Sequence, residues 1–312
     1  MTGYDALREN AAWIDLTGRG HIVATGEDRV RLLHAISTNH LQQLSPGQGC
    51  YTFFLNAQGR IQADADVLAL EDSLLIDTEP EQAGRLLAHI DHYIIADDVT
   101  LEDRTRETAI VAVEGPRAAD ALSAAGFPVP PEPYSHTASG PSIVCRLTST
   151  GAPGYRIFSP LEAKLRVVAA LEAAGILAAD ADAARVVRLE HFKPRFGDDI
   201  FETSLVHDTR QLHAVHFNKG CYLGQEIVER VRSRGMVHRL LAGLRIATAN
   251  APAVGTPVLA GGAEAGKITS AAYSPATGSV VALAYLKRDL ATPGTVVDCA
   301  GARAEVAAPY TG

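Results

Sequence analysis

The octapeptide KGCYLGQE, residues 219–226, contains the cysteine whose surroundings most favour reactivity. Gly220 and Gly224 bracket Cys221 just before a helical pattern, where glycines let the backbone turn and leave main-chain N–H groups pointing outwards. The helix N-terminus and the ammonium of Lys219 would both stabilise a negative charge on the sulfur of Cys221. Free cysteine is also among the most buried residue types, so a small buried hydrophobic residue is the competing interpretation.

Positive charge collects directly downstream of this octapeptide, although the chain as a whole is acidic. The basic residues there are Arg230, Arg232, Arg234, His238 and Arg239. A solvated helix face explains such a cluster, and so does a cationic lip that attracts a polycarboxylate ligand. Upstream, the stretch RLEHFKPRFGDDI (188–200) ends a helix in a loop that carries Arg195 and the pair Asp198-Asp199.

A third candidate is the stretch RIQADADV (60–67), in which apolar and polar residues alternate. Alternation with a period of two is typical of a β-strand with one buried face. The polar face carries Arg60, Gln62, Asp64 and Asp66. This face meets water in one interpretation, and in the other it lines a pocket.

The elements that must position these groups repeat one order along the first two thirds of the chain. A strand is followed by a glycine, a helix, further strands and a last strand that runs into a proline-started helix, with Gly26 and Gly115 in matching places. Ser159 and Glu162 fit a capping box at the second proline-started helix, and Gly175 fits its C′ position. We interpret the order as an internal duplication of a mixed α/β unit, and chance similarity is the alternative.

From about Arg239 the sequence consists of short apolar runs separated by Gly, Pro, Ser and Asn, among them RLLAGLRI, TPVLA and SVVALAYL. Several short strands with turns between them are typical of a small β-barrel or sandwich. The sequence therefore predicts an α+β protein. We expect two related mixed α/β domains at 1–105 and 106–236, and a small C-terminal β-barrel at 237–312.

Bulk composition excludes some classes of function. The 312 residues carry a formal net charge of −8, with a pI near 5.8, which argues against sequence-independent binding of nucleic acid. No apolar run is long enough for a transmembrane helix. The N-terminus MTGYDALREN lacks the basic and apolar regions of a signal peptide, so we expect a cytoplasmic protein.

The four cysteines are widely spaced, and no C-x-x-C pair occurs among Cys50, Cys145, Cys221 and Cys299. This spacing favours reduced thiols over a disulfide framework, and it gives no zinc or iron–sulfur ligand pattern. We expect the protein to hold no metal of its own.

KGCYLGQE resembles the K-G-C-Y-x-G-Q-E signature of the YgfZ family of folate-binding proteins, which are relatives of the glycine-cleavage T-protein. The resemblance extends over nearly the whole chain, including NAQGRIQADADV (56–67) as the pocket strand and RLEHFKPRFGDDI as the arginine–carboxylate loop. It implies a three-lobed ring of two α/β domains and a barrel around a central folate cavity. The duplication inferred from the element order agrees with this arrangement.

The family is linked to the maturation or repair of iron–sulfur enzymes in a folate-dependent way. The resemblance therefore implies tetrahydrofolate or a derivative as cofactor, and iron–sulfur client enzymes or assembly factors as partners. It implies that Cys221 lies beside the folate cavity and acts there with Lys219 and Asp64. The implied cofactor-binding residues are Asp64, Arg188, Arg195, Tyr222, Gln225 and Glu226, with the two arginines as partners of the ligand's carboxylates.

The sequence departs from the T-protein pattern at two positions. The pocket strand of T-proteins carries two adjacent aspartates, but the matching residues here are Ala63 and Asp64. The Thr-Gly-Glu that contacts the pterin in T-proteins reads Thr-Gly-Ala here, with Ala152 in place of the glutamate. These departures count against the alternative function, an aminomethyltransferase. A non-catalytic scaffold that keeps the cavity is the third hypothesis.

Overall fold

The computed structural model describes residues 1–235, 237–308 and 310. Its helices are α1 (Gly3–Glu9), α2 (Arg29–Ile36), α3 (Ala83–Asp91), α4 (Ala118–Ala124), α5 (Lys164–Ala173), α6 (Ala181–Glu190), α7 (Val206–Thr209) and α8 (Gln225–Arg234). Within the described residues, no helix combines the length and the apolar character needed to cross a membrane.

The strands of the amino-terminal two thirds are β1 (Ala12–Asp15), β2 (Gly20–Thr25), β3 (Gln48–Leu55), β4 (Ile61–Ala69), β5 (Leu74–Thr78), β6 (Thr100–Asp103), β7 (Thr108–Glu114), β8 (His136–Ser139), β9 (Ser142–Cys145), β10 (Gly154–Pro160) and β11 (Leu177–Ala179). The remaining strands are β12 (Arg239–Ile246), β13 (Pro257–Ala260), β14 (Ala263–Ser274), β15 (Ser279–Lys287), β16 (Val296–Cys299) and β17 (Ala302–Ala307).

These strands form two open sheets and a barrel. The first sheet has the order β3-β4-β5-β2-β6, and the second has the order β11-β1-β7-β10-β9-β8. Strands β12 to β17 close into a six-stranded barrel. The predicted α+β class, with mixed α/β parts before a C-terminal β-barrel, is therefore confirmed, and the barrel replaces the sandwich as the form of the last part.

The two open sheets pack against each other through an inter-sheet layer of apolar side chains. Leu68 and Leu75 of the first sheet meet Ile110 and Phe158 of the second sheet in one buried cluster. The opposite face of the first sheet is covered by α3, whose Leu86 and Ile90 lie in a separate core. Each sheet is therefore buried on the face that forms the layer, and burial of apolar surface holds the pair together.

The barrel packs behind the second sheet, against α6 and the segment that follows it. Leu189 and Phe192 lie in one apolar cluster with Leu241 and Leu283 of the barrel. The hydroxyls of Thr269 and Ser270 donate hydrogen bonds of 2.6 and 2.5 Å to Oδ1 of Asp199. The barrel thereby fixes the position of residues 193–200.

Strand β1 does not belong to the sheet of the residues that follow it. It pairs with β7 and β11 in the second sheet. Residues 12–15 therefore belong to the second sheet, although we expected the whole of 1–105 to form the first unit. The division 1–105, 106–236 and 237–312 stays a proposal. Residue 236, its second boundary, and residues 309, 311 and 312 at the end of the third part lie outside the described residues.

The two glycines that we matched in the duplicated units have the same structural role. Gly26 has a φ of 100° and Gly115 a φ of 132°, both in the region that favours glycine. A Cβ on Gly26 would collide with the carbonyl of Asp98, and one on Gly115 would collide with that of Asn10. Each glycine lets a strand pass directly into a helix beneath a neighbouring backbone segment.

The predicted cap of the second proline-started helix is wrong in one detail. Leu161–Ala163 form a 3-10 turn before α5, and no side chain caps it. The hydroxyl of Ser159 lies within β10, buried and without a hydrogen-bond partner among the described residues. At the other end of α5, Gly175 has the expected positive φ of 79°.

Candidate functional site

A cavity of about 300 Å³ lies between the two open sheets, next to the inter-sheet layer. Its walls are the polar face of β4, the end of β5, the start of β10 and one face of α6, and the segment 193–198 completes it. Asp64 and Asp66 both line this cavity. Of the two interpretations of the polar face of residues 60–67, the structure therefore favours the one in which this face lines a pocket.

Asp64 is held rigidly in this wall. The hydroxyl of Tyr51 donates to Oδ2 at 2.6 Å, and Nε2 of Gln82 donates to Oδ1 at 2.9 Å. Only 8% of the Asp64 surface is exposed, and burial raises the pKa of its carboxyl despite these two hydrogen bonds. The site therefore contains an oriented carboxyl group that holds a proton more tightly than an exposed aspartate.

A cluster of buried ion pairs surrounds the carboxyl of Asp77 at the base of the cavity. Arg19 donates to Asp77 at 2.9 Å, and Arg156 pairs with both Asp77 and Asp66. Arg19 also pairs with Glu79. Although burial by itself would raise the pKa of Glu79, the charges of Arg19 and Arg195 lower it to about 2. These groups are paired with one another, and they fix the shape of the cavity wall.

The two arginines predicted to meet the ligand do line the cavity, but both are bound to carboxylates of the protein. Arg188 contacts Asp199 at 2.7 Å and Asp198 at 2.9 Å. Arg195 contacts Glu79 at 3.0 Å and Glu81 at 2.6 Å. Their evident role is to tie the segment 193–200 to α6 and to the turn after β5.

Two cations in the cavity wall remain outside these ion pairs. Within the described part of the chain, neither Arg185 nor Lys193 has an ion-pair partner, and both line the cavity. Arg185 donates to the carbonyl of Ala271 at 2.9 Å, and Nζ of Lys193 lies 4.6 Å from the centre of the Tyr310 ring. Burial lowers the pKa of Lys193. These two cations are therefore available to pair with an anionic ligand.

Sequence reasoning missed most of this wall. A signal for Arg185 existed, because the cavity-lining residues Ala181, Ala184, Arg185 and Arg188 have the i, i+3, i+4, i+7 spacing of one helix face. Nothing in the sequence indicated Tyr51 or Gln82, which come from β3 and from the turn before α3.

The two departures from the T-protein pattern differ in their consequences. Ala63 lies on the opposite face of β4, fully buried in the core beneath α3, so an aspartate there would not face the cavity. Ala152 is also buried, and its N–H donates to Oγ of Thr150, which lines the cavity. The missing aspartate at position 63 therefore affects the core. The missing glutamate at position 152 lies next to the cavity wall, because Ala152 is hydrogen-bonded to the lining residue Thr150.

Lys219 is directed into the protein. Its ammonium donates to the carbonyls of His34 at 2.5 Å and Ser37 at 2.6 Å, at the end of α2, and it lies 5.1 Å from the centre of the Tyr222 ring. Carbonyls at a helix end lack partners within the helix, and a lysine satisfies them. Burial lowers the pKa of Lys219 to about 7. The structure thus gives this lysine a capping role.

The rest of the octapeptide anchors α8. Tyr222 is buried in an apolar cluster with Phe53 and Ile200, and its N–H donates to Oε1 of Gln225 at 3.3 Å. Cys221 is exposed, which excludes the buried-hydrophobe interpretation, and Glu226 is exposed too.

The octapeptide and the cavity are separate in the structure. None of residues 219–226 and, among the described residues, none of 230–239 lines the cavity. The expectations that Cys221 lies beside the cavity and that a cationic lip guards it are therefore not met, because Tyr222 and Lys219 turn the segment towards α2 and its neighbours. No group of three or more His, Cys, Asp or Glu in the described residues is arranged to hold a metal ion.

An antiparallel sheet and a mixed sheet, a carboxyl-lined cavity between them and a C-terminal barrel define the fold class of the glycine-cleavage T-protein. Residues 2–219 match the family described as the GCVT N-terminal domain, and residues 239–310 match the glycine cleavage T-protein C-terminal barrel domain. The chain belongs to this family.

Relatives of known name agree with this assignment. An aminomethyltransferase of Rippkaea orientalis is 26% identical over 95% of this chain and 83% of its own length. One from Rubrobacter xylanophilus is 29% identical over 91% of this chain and 78% of its own. A chloroplastic protein of Arabidopsis thaliana, named a putative transferase, is 25% identical over 98% of this chain and 72% of its own.

The crystal structure of the glycine cleavage system aminomethyltransferase T from Bartonella henselae has the same fold. It superposes with a TM-score of 0.89 at 22% identity, over 97% of this chain and 87% of that one.

The octapeptide glycines give a matched pair for a stability test. Gly220 and Gly224 both have positive φ, but a Cβ on Gly220 meets open space and one on Gly224 would lie 2.7 Å from the carbonyl of Asn56. We expect Gly220→Ala to lower the free energy of unfolding by about 1–2 kcal/mol through backbone strain. Gly224→Ala should lower it by a further ~1–3 kcal/mol through overpacking. Urea unfolding measures both, and equal losses would contradict the assigned contact.

The raised pKa of Asp64 predicts how stability depends on pH. The unfolded chain releases this proton near pH 4, about the ordinary pKa of an aspartate, whereas the folded protein releases it only at higher pH. Stability that depends on the protonated carboxyl is therefore fully present below that pH and is lost as the pH rises through the folded pKa.

Asp64→Asn should accordingly unfold at higher urea concentration than the wild type at neutral pH, and this advantage should shrink as the pH is lowered towards about 4. Asp72→Asn, at an exposed aspartate, is the matched control and should show no such trend. A difference between Asp64→Asn and the wild type that stays constant across this range would mean that burial does not govern the carboxyl.

Proposed function

We propose that the protein binds tetrahydrofolate or a derivative in the cavity between the sheets, and that it transfers a one-carbon group in the manner of an aminomethyltransferase. The observation that carries this proposal is Asp64, a buried carboxyl with a raised pKa on the cavity wall. A carboxyl whose pKa is raised by burial is better suited to holding and passing on a proton than an exposed aspartate.

The residues present fit such a ligand. A cavity of about 300 Å³ lies at the lower end of the range typical of small-molecule sites. Most of the residues that line it are charged or polar, and side chains such as Ile14, Leu16 and Phe196 add apolar contacts. Ser149, Thr150 and Gln211 line it and supply hydroxyl and amide groups for a heterocycle. Arg185 and Lys193 supply cations for the ligand's carboxylates, a role that we now assign to them in place of Arg188 and Arg195.

When bound, tetrahydrofolate would supply the nitrogen atoms that carry the one-carbon group. The protein's part is to place Asp64 beside that group. Each carboxylate oxygen has more than one acceptor site, so Asp64 can still accept a ligand proton after its bonds to Tyr51 and Gln82. The ion pairs of Asp77 with Arg19 and Arg156 keep the wall fixed while that proton moves.

The aminomethyltransferase names of relatives that span most of the chain support this proposal. The position of Ala63 supports it as well, since the aspartate missing there would have faced the core. Ala152 remains an argument for the scaffold hypothesis, because a ligand donor that loses a carboxylate partner binds less tightly.

Calorimetric titration with tetrahydrofolate tests the cavity. We expect the wild type and Cys221→Ala to bind equally, and Asp64→Asn to bind but to lose transfer activity. Lys193→Gln should bind about ten-fold more weakly, since a charged hydrogen bond is lost. Lys287→Gln, at an exposed barrel residue, is the matched control. Absence of binding by the wild type would favour the scaffold hypothesis and overturn the proposal.

A second candidate is an accessory role in the maturation or repair of iron–sulfur enzymes, and the exposure of Cys221 favours it. Cys145 and Cys299 are buried and Cys50 is half-buried, so Cys221 is the exposed thiol among the four. Cys221 follows Gly220, which has a positive φ. A Cβ on Gly220 would meet no atom within 4 Å, so the space beside this residue is open. The proposed partners are iron–sulfur client enzymes or assembly factors that reach this surface.

Two substitutions separate the candidates in cells that lack the wild-type gene. If the accessory role is the main one, Cys221→Ser should lower the activity of an iron–sulfur enzyme such as aconitase, and Asp64→Asn should leave it closer to normal. In vitro, iodoacetamide should label Cys221 well before the buried thiols, as peptide mass spectrometry would record. Normal aconitase activity with Cys221→Ser would remove the second candidate.

A further inference from the structure

The loop that carries Cys221, residues 216–224 and here called the Cys221 loop, is attached to the end of α2. The main-chain N–H groups of His216 and Leu223 donate to carbonyls at this helix end and just beyond it, each at 3.0 Å. Between these two contacts, the ammonium of Lys219 donates to two further carbonyls of the same helix end. The position of the loop therefore depends on what happens around this one helix terminus.

Three histidine rings lie together at this attachment. The ring centres of His34 and His40 are 4.7 Å apart, and those of His40 and His216 are 5.0 Å apart. Nε2 of His34 lies 3.2 Å from the carbonyl oxygen of Lys219, so this ring contacts the loop directly. We call His34, His40 and His216 the histidine latch.

The contact between His34 and the loop determines where the His34 ring holds its proton. A carbonyl oxygen only accepts, so Nε2 of His34 carries the proton that it donates to Lys219. In all three latch histidines, Nδ1 is buried and has no hydrogen-bond partner among the described residues. A second proton on the His34 ring would therefore be buried on Nδ1 without an acceptor, which costs free energy. The attached loop thus requires a neutral His34.

No ion pair offsets such a proton, because neither Lys219 nor a latch histidine has an ion-pair partner within the described part of the chain. The charged groups that act on His34 are Lys219 and the other two histidines, and those that act on His40 are His216 and Lys219. Cys50 of β3 acts on Lys219, but burial raises the pKa of the Cys50 thiol to about 12, so it is uncharged. Burial, followed by the nearby positive charge, lowers the pKa of both His34 and His40.

This lowering sets the direction of a pH effect on the loop. If the loop detaches, the rings of His34 and His40 regain the ordinary histidine pKa of about 6.5. The attached loop keeps these rings neutral to a lower pH. Detachment therefore takes up protons, and it becomes more favourable as the pH falls below about 6.5. Lys219, whose pKa burial lowers to about 7, is charged at that pH and repels the protonated rings.

We propose that the histidine latch releases the Cys221 loop from α2 when the protein is acidified. Neutral histidines keep the loop attached through Lys219 and the two main-chain contacts. Protonated histidines beside the ammonium of Lys219 detach it, while the sheets and the barrel stay folded. This conformational device goes beyond the proposed function and does not rest on it.

Hydrogen–deuterium exchange of the full-length protein, followed by mass spectrometry, tests the latch. Amide protection of residues 216–224, corrected for the intrinsic exchange rate at each pH, should fall by at least about three-fold between about pH 7.5 and 5.5. The N–H of Leu223 is the main reporter, because its bond to the carbonyl of Ala35 breaks when the loop detaches. Protection of β12 in the barrel should not change over the same range.

Substitutions in the latch should reduce the pH dependence. The double variant His40→Gln with His216→Gln removes two of the three rings, so its Cys221 loop should lose less protection on acidification than that of the wild type. His92→Gln, at an exposed histidine directly after α3, is the matched control and should behave as the wild type does. Ring resonances assigned with single substitutions give a second measurement, in which His34 and His40 should titrate below about pH 6.5.

Four results would overturn the proposal. Protection of residues 216–224 that stays constant across this range would mean that the loop does not respond to pH. A fall shared with β12 would mean that acid unfolds the whole protein. An equal fall in the double variant and the wild type, or titration of both rings at or above about pH 6.5, would mean that the histidines do not control the loop.

Discussion

The structure depends on one buried interaction, the sharing of the Asp77 carboxyl by two guanidinium groups. Asp77 belongs to the first sheet, Arg156 to the second, and Arg19 lies in the turn before β2. Removing one partner of such a cluster leaves an uncompensated buried charge, which typically costs about 3–5 kcal/mol. The inter-sheet layer supplies the bulk of the attraction between the sheets, but it is non-directional. The ion pairs add the directional contacts that fix how the sheets face each other and therefore where the cavity lies.

The need to fix the cavity wall with ion pairs also determines which side chains around the cavity are left to bind a ligand. Arginines that we expected to meet a ligand are used to tie the segment 193–200 to α6 and the turn after β5, and the barrel holds that segment from behind through Asp199. Ligand recognition is left to the cations outside this framework, Arg185 and Lys193. Asp64 keeps the one role that requires a raised proton affinity, because it is buried and forms no ion pair with any cation in the described part of the chain.

Cavity and octapeptide are two separate structural devices. Lys219 caps α2 and Tyr222 fills an apolar cluster, so most of the octapeptide's distinctive residues serve to position the loop before α8. That positioning leaves Cys221 exposed. A function that combined folate with this thiol would have to bring a partner to the surface, since the cysteine does not reach the cavity wall.

The sequence by itself determined the α+β class, the C-terminal barrel strands and the two faces of residues 60–67, because each depends on local periodicity and turn residues. The places of Gly26 and Gly115 between a strand and a helix could be predicted for the same reason, since their backbone conformation favours glycine. Only the tertiary structure decided that β1 joins the second sheet, that Lys219 turns inwards and that Arg188 and Arg195 are already paired. Those outcomes depend on contacts between residues far apart in the chain, such as Lys219 with His34 or Arg195 with Glu79, and no local pattern encodes such a pairing.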